Sequence, residues 1–146
     1  MKYLTLILFT ASLIFSCGRK PENATNSSSA PEEISLDSLK SQVLAIHDEV
    51  MPKIGELRKT RMELEVLADS LMEADSTNAK MFSRLATDLA AANEGMMNWM
   101  HQYDSEFDGT DDEIKEYLEG QKKSIQQVKE DMNGSLAAAK ETLEQY

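Results

Sequence analysis

Cysteine occurs once, histidine twice, proline three times and glycine six times in the 146 residues, and each scarcity closes off part of the field. A single cysteine, Cys17, forbids an intramolecular disulfide. Few helix breakers, set against an abundance of Ala, Leu, Glu, Lys and Met, favour helix throughout. Basic side chains number 15 against 26 acidic ones. Such a surface repels phosphate backbones and anionic headgroups, which argues against nucleic acid as a partner and against the domain lying on a lipid surface. There is no P-loop, no HExxH pair and no lipase-type elbow, and neither histidine has a nucleophile arranged for acyl transfer, so the chain reads as a non-enzyme.

One long uncharged apolar run is present, Tyr3 to Phe15, directly after Lys2. It is too short to span a bilayer comfortably as a mature helix and reads as a secretory signal. Its end, Leu13-Ile14-Phe15-Ser16-Cys17, is similar to a bacterial lipobox: an aliphatic residue at minus three, a small residue at minus one, then cysteine. On this reading residues 1–16 are a signal peptide and Cys17 becomes the lipidated first residue of the mature chain. Its acyl chains, at ~0.8 kcal/mol per buried methylene, anchor it to a membrane without a transmembrane helix. Residues 17–35 then supply the lipidated cysteine and a Ser-, Asn- and Pro-rich linker with a reach of roughly 25 Å. Gly18, Arg19 and Lys20, not aspartate, follow the cysteine, which places the expected location in the cell envelope, at the outer membrane facing the periplasm, with the cell surface second. Removal of residues 1–16 takes away only Lys2, leaving 14 basic against 26 acidic side chains and a formal charge of −12.

Residues 36–146 carry heptads. Leu36, Val43, Val50, Leu57, Leu64 and Leu71 recur every seven residues, with Leu39, Ile46 and Leu67 between them, while Lys53 and Thr60 fill two other seam positions. The pattern predicts a first helix over about 36–72, capped by Ser35 or Asp37 and bent at an outward-facing Pro52. A second helix, about 77–104, follows the capping residues Asp75 and Ser76, with Phe82, Leu85, Leu89, Ala92, Met96, Trp99 and Tyr103 on its seam. Val50 with Trp99, Leu57 with Ala92, Leu64 with Leu85 and Leu67 with Phe82 pair off about a turn centred between residues 74 and 75, which predicts an antiparallel hairpin. A polar connection containing Gly109, with Phe107 placed to plug the bundle end, leads to a third helix over about 111–145. The expected class is all-α, a helical hairpin extended to an up-down-up three-helix bundle; self-association is the other way to cover the hairpin's seam.

The stretch MMNWMHQYD, residues 96–104, gathers methionines, the sole tryptophan and a histidine. Met96 and Trp99 fall on the seam and read as core. His47, Met51, Met97, Met100 and His101 instead fall on one flank of the hairpin at about one height. Thioether and imidazole together suit monovalent copper, so these five are the candidate metal ligands, with Asp48 or Glu94 able to orient a histidine. The plainer alternative is a flank that is solvated or covered by the third helix. A haem reading lacks Cys-x-x-Cys-His, and both histidines stand off the seam.

With HDEVMPKIGEL (47–57) and MMNWMHQYDSEF (96–107) on facing stretches, the chain resembles small helical bacterial envelope lipoproteins commonly labelled "viral A-type inclusion protein", a label that reflects coiled-coil similarity and implies nothing about viruses. The resemblance covers most of the mature chain and carries no activity. It implies an envelope lipoprotein built on helical hairpins, with those two motifs as its working surface. The expectation is a membrane-tethered, non-enzymatic interaction or structural module that meets an envelope protein or a second copy through His47, Asp48, Met51, Met97 and His101. A copper-binding role for the His/Met flank is the alternative.

Overall fold

The computed structural model describes residues 35–146, so the expected signal sequence, Cys17 and nearly all of the expected linker lie outside the described residues. Helix α1 (Leu36–Val50) starts where Ser35 Oγ accepts the backbone N–H of Ser38 at 3.2 Å. The predicted long first helix does not continue through Pro52. Met51–Lys53 form a single 3-10 turn, and α2 (Ile54–Leu71) begins after it. Proline has no N–H to donate, and its ring crowds the preceding turn. The tighter winding absorbs the mismatch, with the N–H of Ile54 donating to the Met51 carbonyl. Pro52 is exposed, away from the core.

Asp75 caps α3 (Ser76–Gln102) by accepting the N–H of Asn78. Helix α4 (Asp111–Gln145) opens on a capping box, in which Thr110 Oγ1 accepts the Glu113 N–H and the Glu113 carboxylate accepts the Thr110 N–H at 2.8 Å. Asp111 and Asp112 add negative charge at the positive end of the helix dipole. Gly134 leaves α4 unbroken.

Helix α2 packs along α3, and α4 lies against α1 and α3 with a lighter contact to α2. The direction of α4 can be read from its polar pairs. Lys122 Nζ donates to Gln42 Oε1 at 2.6 Å, Lys129 Nζ to Glu49 Oε2 at 2.7 Å, and Lys53 Nζ to Asn133 Oδ1 at 2.5 Å, each pair 80 residues apart in sequence. A constant separation means that α4 runs parallel to the first arm of the hairpin, which makes the bundle up-down-up. Lys140 with Glu56 at 2.5 Å extends the row.

The interior holds Val43, Val50, Leu57 and Leu64 from the first arm, Phe82, Leu89, Met96 and Trp99 from α3, and Leu118, Ile125, Met132 and Ala139 from α4. Toward the hairpin tip, Leu67 and Leu85 are only half-buried, and Ala68 and Ala86 take the inward positions. A straight helix drifts about 20° per heptad against a strict seven-residue repeat, and two heptads of drift rotate the neighbouring alanine inward. Thr60 is the buried polar side chain of the seam at 6% exposure, while Lys53 lays its stem along the core and carries its ammonium out to Asn133.

Three carboxylates are held below the ordinary glutamate value of 4.5: Glu113 by hydrogen bonds from the backbone and side chain of Thr110, Glu49 by Lys129, and Glu56 by Lys140. Because the folded-state values are depressed, their contribution to stability is complete above 4.5 and is lost as the pH falls through the lowered values. Thermal melts of the wild type and Glu113→Gln should therefore differ at neutral pH, with the wild type more stable, and converge in acid. A gap unaffected by pH would show that the capping box does not hold the Glu113 charge.

Candidate interaction surface

Every aromatic side chain among the described residues belongs to one of two clusters. Phe82 and Tyr146 meet edge to face, with ring centroids 5.0 Å apart, at the hairpin-tip end. At the other end four aromatic rings and an imidazole form a ladder. Trp99 stacks on Tyr103 at 4.9 Å, Tyr103 on Tyr117 at 6.4 Å and Tyr117 on Phe107 at 4.3 Å, all within 19° of parallel, while His47 leans on Trp99 at 5.7 Å. The ladder ties α1, α3, the 103–110 connection and α4 together.

Local hydrogen bonds hold this end in place. Helix α3 stops at Gln102 because Tyr103 turns extended and the N–H of Asp104 leaves the helix for Tyr117 Oη at 2.6 Å. Lys40 Nζ donates to the Ser105 carbonyl at 2.6 Å, which joins α1 to the connection. Phe107, 37% exposed, stacks as the outer ring rather than plugging the bundle. Three enclosed polar atoms, Trp99 Nε1, Tyr103 Oη and Gln121 Oε1, have no hydrogen-bond partner among the described residues. Burial, with smaller contributions from Tyr117 and Asp104, pushes the Tyr103 hydroxyl above its usual pKa of 10.0.

Gln42, Glu49 and Glu56 lie on one flank of the first arm, and each meets a lysine of α4. His47 stands on the other flank, so α4 leaves it uncovered. Its side chain is 21% exposed, and Nδ1 lies 2.9 Å from Asp48 Oδ1, which is itself mostly in solvent. Met51, Met97 and Met100 are half-buried and pack against the core cluster. His101 is exposed and makes no hydrogen bond, ion pair or ring contact with the described residues. The structure thus brings His47 to Trp99 and Asp48, packs the three thioethers against the core cluster, and leaves His101 exposed. Among the described residues, no three His, Cys, Asp or Glu side chains converge as a cation site. No described helix is long and apolar enough to cross a membrane.

Tyr117 and Phe107 complete the ladder, which the apolar repeats do not indicate. Their sequence signal is that four of the six aromatics in residues 35–146 fall within 99–117.

The His47→Ala variant strips one contact from the indole and is expected to cost about 1 kcal/mol and to shift the sole tryptophan's emission to the red. Unchanged emission and melting would show that the ring contact contributes nothing. No protein-family model, curated protein or solved structure matches this chain.

Proposed function

We propose that this chain is a membrane-tethered, non-enzymatic helical module of the cell envelope, anchored through Cys17, whose flank at His47, Asp48, Met51, Met97 and His101 docks an envelope protein. The observation that carries this reading is the placement of that flank on the side of the first arm away from α4. What supports it is a half-buried imidazole leaning on Trp99 with Asp48 at its Nδ1, half-buried Met51 and Met97 against the core, and an exposed His101. Methionine and aromatic side chains with a polar border suit recognition of another protein, because thioethers repack at low cost and the rim excludes competing water. The acidic surface directs the module away from anionic lipid and toward a neutral or basic partner. A photo-cross-linking residue in place of Met51 should capture one discrete product in the membrane fraction of cells. That product should be lost with Asp48→Lys plus His101→Glu, and Cys17→Ser should release the chain from the membrane. A strictly monomeric chain with no product would overturn the reading.

A second reading treats the same flank as a copper(I) site, resting on the ligand chemistry of two imidazoles and three half-buried thioethers. It expects micromolar or tighter binding of copper(I) in a competition titration, on the order of 8 kcal/mol or more, that is lost with His47→Ala plus His101→Ala. Weaker binding, or binding indifferent to both histidines, removes it.

A further inference from the structure

Helix α2 carries a charge pattern on its outward face that its own stability does not explain. After Glu56 in the first turn, Arg58, Lys59 and Arg61 occupy the N-terminal half, whereas Glu63, Glu65 and Asp69 follow toward the C-terminus. This is the reverse of the arrangement the helix dipole favours. Helix α3 does not compensate. Glu65 and Asp69 line a groove of about 450 Å³ whose α3 wall is Ser83, Ala86, Thr87 and Ala90, without charge. Among the described residues, the one ion pair on this face is internal, Arg61 Nε to Glu65 Oε1 at 3.4 Å, and Arg61 Nε makes no hydrogen bond. At the junction of the two halves lies Met62, with Val66 one turn on among the acidic residues; at 61% and 69% exposed they are the two most exposed large apolar side chains of the described residues.

A face that is basic, then apolar, then acidic is complementary to itself when reversed. If a second copy is turned about a two-fold axis crossing α2 near Leu64, Arg58 and Lys59 come level with its Asp69, Arg61 with its Glu65, and Met62 with its Val66. The basic half of each helix then faces the acidic half of the other, with Glu63 and Glu65 near the axis as the like-charged exception, and the two exposed apolar residues cover each other. A parallel pair would set like charge on like. We propose that α2 is a self-recognition surface that pairs antiparallel with the α2 of a second copy of this chain. Such a closed isologous contact uses the same patch on both partners, with charge setting orientation and the apolar centre excluding water. The pairing rests on the reading of the domain as an interaction module, but it uses residues of α2, none of which belongs to the set His47, Asp48, Met51, Met97 and His101.

Sedimentation of the full chain over a wide concentration range should show a monomer–dimer equilibrium. An all-acidic face (Arg58→Glu with Lys59→Glu) and an all-basic face (Glu65→Lys with Asp69→Lys) should each weaken it by about tenfold or more. An equimolar mixture of the two variants should restore it, because opposite faces then meet. All four positions are exposed, so unchanged circular dichroism keeps the comparison clean. Orientation is read by disulfide capture: a Met62→Cys chain mixed with a Val66→Cys chain should give the mixed product in excess over either homodimer, with the parent run beside them to account for Cys17. A wild type monomeric throughout, dimerisation indifferent to both charge variants, or a mixture that fails to recover would each overturn the pairing. A monomeric chain that still gives its cross-link at Met51 removes self-pairing and leaves the docking flank standing. Dimerisation through α2 without any product at Met51 does the converse.

Discussion

A row of contacts at heptad spacing, Gln42 with Lys122, Glu49 with Lys129 and Glu56 with Lys140, seats α4 on one flank of the first arm. Ion pairs this exposed contribute little free energy apiece. What they supply is selection. A three-helix core can be closed from either flank of a hairpin with much the same apolar burial, and only one choice puts acceptors opposite these lysines. Once α4 lies there, the other flank has to stay open, and His47 and the α2–α3 groove both occupy that open side.

Energy and specificity are thus carried by different residues. Val50, Leu57, Leu64, Phe82, Leu89, Met96, Ile125 and Met132 supply the apolar burial that drives folding. Lys53 and Thr60 interrupt the same seam with polar atoms. A lysine that must reach Asn133 tolerates few alternative registers, much as a polar seam residue fixes alignment in coiled coils.

Periodicity and capping are local, and so they were readable in the sequence. The apolar repeats, Ser35, Asp75 and the phase match about the hairpin turn place the helices within one or two residues of where they lie. The placement of Met96 and Trp99 in the core was readable for the same reason. Three features were not. The 3-10 break at Met51–Lys53 reflects how much winding a proline forces, which depends on the packing on either side. The exchange of Leu67 and Leu85 for Ala68 and Ala86 accumulates from a small angular drift. The aromatic ladder joins residues from four separate segments, and pairing between segments leaves no period to detect. For the same reason the sequence could put five soft ligands at one height without showing that Met51, Met97 and Met100 turn inward while His101 turns out.

The two ends of the bundle are finished differently. At the tip, α2 and α3 are joined by a short turn and Phe82 is sealed edge-on by Tyr146. At the entry end the closure is made between segments instead: Trp99, Tyr103, Tyr117 and Phe107 stack in turn, and Lys40 reaches across to the Ser105 carbonyl. Contacts between segments open at lower cost than those inside one continuous turn, so backbone protection is expected to rise from the entry end toward the tip.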